Sequence, residues 1–145
     1  MGDGYRLTPV RDERARQQRM RENDLAAAVG DARATQEAVD AARATVQRAR
    51  DVIAAADRAR AAQLAAGATT HAVALSERHL TRLRRDLDGA LDALARATAS
   101  HAGQVAATDA ARSRLTLARA DKEIIERHFA RWRTERAKLA ERRED

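Results

Sequence analysis

Residues 64–73 read LAAGATTHAV, and the middle four, Gly67-Ala68-Thr69-Thr70, decide the fold. A glycine of the kind that closes helices stands just ahead of threonines of the kind that open them. The chain is expected to reverse there. Upstream, a repeat of seven runs through Leu25, Ala32, Val39, Val46 and Ile53, followed three residues later by Ala28, Thr35, Ala42, Ala49 and Ala56, and it fades near Leu64. Downstream, a second repeat starts at Val73. Its first series is Leu80, Leu87, Leu94, His101, Thr108, Leu115, Lys122, Phe129 and Arg136; its second is Leu83, Ala90, Ala97, Gln104, Ala111, Ala118, Ile125, Trp132 and Leu139. That phase is expected to hold to the end of the chain. Two positions per heptad kept mostly apolar make the seam of a coiled coil. The expected fold class is all-α: two long helices forming an antiparallel coiled-coil hairpin.

Working outward, the expected layout is an N-terminal arm over 1–8, helix one over 9–66, the turn Gly67, Ala68, Thr69 and Thr70, and helix two over 71–143, in a single domain. Thr8-Pro9 marks the first helix start, with threonine as the cap and proline at the first helical position, where its missing N–H costs nothing. An antiparallel seam pairs residues whose numbers have a constant sum, and 136 satisfies both repeats. That register sets Ala56 beside Leu80, Ile53 beside Leu83, Ala49 beside Leu87, Val46 beside Ala90, Ala42 beside Leu94, Val39 beside Ala97 and Leu25 beside Ala111. Small residues mostly face large ones, as a closely packed narrow seam requires. Thr35 then meets His101 and Ala32 meets Gln104, a polar stretch that helps to fix register. Helices of about 60 residues at about 1.5 Å each predict a stalk on the order of 90 Å long.

Composition agrees with long helices. The chain has 145 residues, 37 of them alanine and 26 arginine, with one Trp, one Tyr, one Phe and a single proline. Those few aromatics supply little of the bulk that fills a globular interior. With no cysteine, disulfides, thiol catalysis and thiolate zinc sites are excluded. No run reaches the 18 or so apolar residues of a membrane span, and MGDGYRLTPVRDER lacks the apolar stretch of a secretory signal. The expected compartment is the cytoplasm, without direct membrane insertion.

Catalytic chemistry finds no foothold. His71, His79, His101 and His128 have no metal-ligand spacing, and no phosphate loop or nucleophile elbow is present. Glu22, Asp40, Asp57 and Glu126 each have arginine at helical spacing and read as solvated helix-face pairs. His101 reads as a seam histidine bonded to Thr35 or water. No enzyme activity, cofactor or metal is expected. The net charge of +6 raises nucleic acid as a partner, but acidic residues are mixed throughout and aromatics to stack on bases are nearly absent. Nucleic acid is not expected.

Protein partners remain. Phe129 and Trp132 are the only large aromatics of the seam, with Leu7 and Gly4 opposite them in the 136 register. Tyr5, Leu7, Phe129 and Trp132 either close the end of the core or form an end-on docking surface, since Trp and Tyr make strong anchors. Leu117 and Ile124, one heptad apart at an outward position, add an apolar strip.

The opening Tyr5-Arg6-Leu7-Thr8-Pro9-Val10-Arg11, the single up-and-back hairpin and the charged tail ARADKEIIERHFARWRTERAKLAERRED together resemble the FliJ/YscO-like central stalk proteins of bacterial flagellar and virulence type III secretion, including their HrpO-type (SctO) members. The resemblance implies a two-helix shaft with one end in the pore of a hexameric secretion ATPase, promoting its assembly and activity. It further implies the cytoplasmic domain of the export gate as a partner, with export chaperones as additional ones. By the shaft analogy, the paired termini face the ATPase, with Phe129, Arg131, Trp132, Arg133 and Arg136 as partner-binding candidates beside Leu117 and Ile124, while the turn points away. The alternative is a generic structural or adaptor coiled coil acting through homo- or hetero-oligomerisation.

Overall fold

The computed structural model describes residues 4–144. Two helices, α1 (Thr8–Ala65) and α2 (Thr70–Glu144), form an antiparallel helical hairpin, and no strand occurs among the described residues. The turn is built as its residues dictate. The Gly67 N–H donates to the Leu64 carbonyl at 3.2 Å and the Ala68 N–H to the Gln63 carbonyl at 3.0 Å, the paired bonds of a Schellman cap. This places Gly67 in the left-handed region at φ 77°, where any other L-residue is strained. Thr69 then opens α2: its hydroxyl oxygen accepts from the Ala72 N–H at 3.2 Å and its carbonyl from the Val73 N–H at 3.1 Å.

The other helix start differs from expectation. The first helical bond runs from the Arg11 N–H to the Leu7 carbonyl at 2.9 Å, so Leu7 is the cap and Thr8 the first helical residue. Thr8 is drawn inward because its N–H and its hydroxyl both donate to the Tyr5 carbonyl, at 3.1 and 2.7 Å. Pro9 therefore sits one place further in, still among the residues whose N–H has no helical acceptor.

Burial follows the seven-residue repeat. Every position of the first seam from Leu25 to Ala56, and every position of the second from Val73 to Trp132, is buried or half-buried. Two direct bonds confirm the register sum of 136. The Thr35 hydroxyl and His101 Nδ1 lie 2.9 Å apart, and the Thr108 hydroxyl donates to the Ala28 carbonyl at 3.3 Å. Because the Thr35 hydroxyl donates to the Ala32 carbonyl at 3.0 Å, its oxygen accepts from His101 Nδ1–H, which selects that histidine's tautomer.

The repeat does not bury residues to the end of the chain: Arg136 and Leu139 are exposed, Leu139 by 50%. At the other extreme the buried stripe reaches further than the apolar pattern. Arg11, Arg14, Gln18 and Arg21 continue it on α1 as half-buried residues.

Contacts gather the chain into two compact units. One comprises residues 4–30 and 106–144; its buried residues are Tyr5, Thr108, Ala111, Leu115, Ala118 and Ile125. The other spans Asp31–Val105, includes the turn, and buries Val39, Val46 and Leu80. The first holds the candidate docking residues and is called the terminal unit below; the second is the turn unit.

Candidate docking site: an aromatic cap edged with arginine

Within the terminal unit, the chain before Thr8 is not helical, and this frees Tyr5 from the heptad register. The expected partners of Phe129 and Trp132 were Leu7 and Gly4. Instead Leu7 is 37% exposed, and Tyr5, at 7%, packs against both rings. The Tyr5 ring meets Phe129 edge-on at 5.0 Å and Trp132 at 5.2 Å, while Phe129 and Trp132, one turn apart on α2, stack at 5.7 Å and 22°. Edge and offset contacts of this kind suit the charge distribution of aromatic rings. The Tyr5 hydroxyl and His128 Nδ1 share a 2.7 Å hydrogen bond, which satisfies the polar tip of a buried ring.

Arginine surrounds this cap. The Arg11 guanidinium lies 4.1 Å from the centre of the Phe129 ring, with Arg133 at 5.9 Å; Arg136 lies 5.7 Å from the centre of Trp132. Cations over ring faces are attracted by the ring quadrupole. Arg11 also donates through Nε to the Glu126 carboxylate at 2.8 Å. That hydrogen bond holds the Glu126 carboxyl below its ordinary range and raises the Arg11 guanidinium further, against a smaller opposing effect of burial on each.

The other candidates divide. Arg131 and Arg133 are exposed, while Leu117 and Ile124 present 66% and 67% of their surface. Leu117 borders a shallow groove with Met20 and Gln17, and Ile124 does not line it. The structure thus brings Phe129, Trp132, Arg133 and Arg136 together.

Tyr5 is one of the residues the sequence placed at this end; Arg11, His128 and Glu126 were not read as part of it. Glu126 was read as a helix-face pair, yet its partner is on the other helix. Asp57 departs in the same way, 4.0 Å from Arg84, and Glu22 lies 3.9 Å from Arg119. Asp40, 4.0 Å from Arg43, keeps its helix-face pairing. Extending the 136 register upstream of Leu25 would have set Arg11 near Glu126, and no local pattern does so. Among the described residues no group of His, Asp or Glu could hold a metal ion, and no helix is long and apolar enough to cross a membrane.

No family model matches the chain, and no curated protein matches it in sequence. Among solved structures it is similar to CT670 from Chlamydia trachomatis, described as a candidate YscO homolog. The TM-score is 0.86 and the identity 18%, over 97% of this chain and 86% of that one. At that identity the likeness shows a shared two-helix fold.

Proposed function

We propose that this chain is a non-enzymatic stalk subunit of a type III secretion ATPase complex, linking the hexameric ATPase to the export gate at the cytoplasmic face of the apparatus. The observation that carries the reading is the match, over nearly the whole chain, to the fold of a candidate YscO homolog. The arginine-edged aromatic cap adds a surface suited to the work. Its centre is closed by Tyr5 within the chain, so docking would use the rim, where Arg131, Arg133 and Arg136 stand beside half-buried Phe129 and Trp132. Arginine and large aromatics are the residue types that most often carry binding energy at interfaces.

The test is capture of a purified hexameric secretion ATPase by the full chain, scored by ATP hydrolysis with and without it. Binding with a raised rate is the expected outcome. Arg131→Glu should weaken capture severalfold while leaving thermal unfolding unchanged, because this arginine is exposed and the described ring contacts of the cap are made by Arg11, Arg133 and Arg136. Absence of both capture and rate change would overturn the reading and leave a generic coiled coil, which light scattering would then show as a dimer or higher oligomer.

A further inference from the structure

The charge of the chain is unevenly placed. Residues 43–85, the part of the turn unit nearest the reversal, carry nine arginines and three acidic residues, a net of +6 that equals the net charge of the whole chain. The remainder of the turn unit, residues 31–42 and 86–105, carries two arginines against six acidic residues. Within the basic part, Arg60 is engaged by Glu77 and Arg84 lies 4.0 Å from Asp57. Arg43 lies 4.0 Å from Asp40, and Arg48 donates to the Thr45 hydroxyl. Arg78, Arg82 and Arg85 are exposed and make no ion pair among the described residues. With Leu75, 51% exposed, they line a shallow groove along α2 whose one carboxylate, Glu77, is already held by Arg60.

We propose that this face of α2, formed by Leu75, Arg78, Arg82 and Arg85, docks an acidic helix of a protein partner. Spacings of four and three residues put the arginines in one row about 10 Å long, which matches carboxylates spaced one helical turn apart on a facing helix. Arginine's planar fork binds carboxylates through two parallel bonds. Leu75 at the end of the row offers an apolar contact that a sugar-phosphate backbone does not reciprocate. The row is also short: Asp86, Asp88 and Asp92 follow directly and would repel a polyanion that tracked further along the helix. No Phe, Tyr or Trp lies in the turn unit to stack on a base. This surface belongs to the turn unit and does not depend on the secretion-ATPase reading.

The experiment titrates the full chain against a fluorescein-labelled helical peptide bearing glutamates at i, i+4 and i+7 and one leucine, read by anisotropy at rising salt. A labelled DNA duplex and phosphatidylserine vesicles compete in parallel arms. Binding that weakens with salt is expected. The triple variant Arg78→Ala, Arg82→Ala, Arg85→Ala should lose about tenfold in affinity, the sum of three exposed ion pairs of ordinary strength. The control triple Arg16→Ala, Arg112→Ala, Arg127→Ala, with the same charge change in the terminal unit, should stay within about twofold of the parent. Equal binding by parent and first triple, equal losses in both triples, or displacement of the peptide by duplex or vesicles at lower concentration would each overturn the proposal. Circular dichroism of the variants confirms that helicity is retained, as expected for outward substitutions.

Discussion

The two units bury a seam of the same spacing with different materials. In the turn unit both helices contribute apolar side chains: Val39 and Val46 from α1, Leu80 from α2. In the terminal unit, apart from Tyr5, every buried residue comes from α2, while α1 sets Arg11, Arg14, Gln18 and Arg21 along the stripe. Long arginine stems can cover apolar surface while their charged heads reach water or a carboxylate. Arg11 and Arg14 do so, ending on Glu126 at 2.8 Å and Asp121 at 3.3 Å. A seam therefore needs covered area, and arginine can provide it at an end that an aromatic cluster also closes. The exchange sets Arg11 as a cation against the Phe129 ring, a contact that an all-apolar seam would lack.

The largest expected effect breaks the turn unit. Leu80 is 1% exposed, and its counterpart in the register is Ala56, too small to fill a gap. Leu80→Ala should destabilise by about 2–5 kcal/mol in urea unfolding, with hydrogen exchange accelerating in Asp31–Val105 before residues 4–30 and 106–144. Uniform acceleration in both units would show that they unfold as one, and the comparison between them would lose its energetic meaning. A smaller effect is expected at the terminal unit. Tyr5→Phe keeps the ring against Phe129 and Trp132 but removes the 2.7 Å bond to His128, at about 0.5–1.5 kcal/mol, with the loss of exchange protection confined to that unit.

The smallest effect is one of pH. The Glu126 carboxyl titrates below its ordinary range in the folded chain, chiefly through the hydrogen bond from Arg11. Its contribution is thus full above the unfolded glutamate value of about 4.3 and is lost as pH falls through the lowered folded value. Protection of the terminal unit should decline on acidification below about pH 4.3, and more steeply in the parent than in Glu126→Gln. Identical acid profiles for parent and variant would show that the Arg11–Glu126 pair adds nothing measurable to the arginine seam.

Much of the hairpin was legible because its signals are local or periodic. The Gly67 cap, a helix start at the threonines after it, and the heptads from Leu25 and Val73 each need only neighbours within a few residues to be read. The constant sum followed from them, and the Thr35–His101 contact agrees with it. The aromatic end was legible only in its membership. Phe129 and Trp132 mark it by their size, but the register assigned them Leu7 and Gly4, because it assumes helix on both sides. Once the chain leaves the helix before Thr8, side-chain direction no longer follows the count, and Tyr5 turns inward.

What the sequence determined by itself is therefore the pair of helices, their reversal and the spacing of the seam, all consequences of backbone propensity and repeat length. Tertiary structure alone decided which unpatterned residues complete the seam. Arg11 meets Glu126 across 115 positions and Tyr5 meets His128 across 123. Such partners are set by how two helices stand side by side, a distance in space that no spacing along the chain encodes.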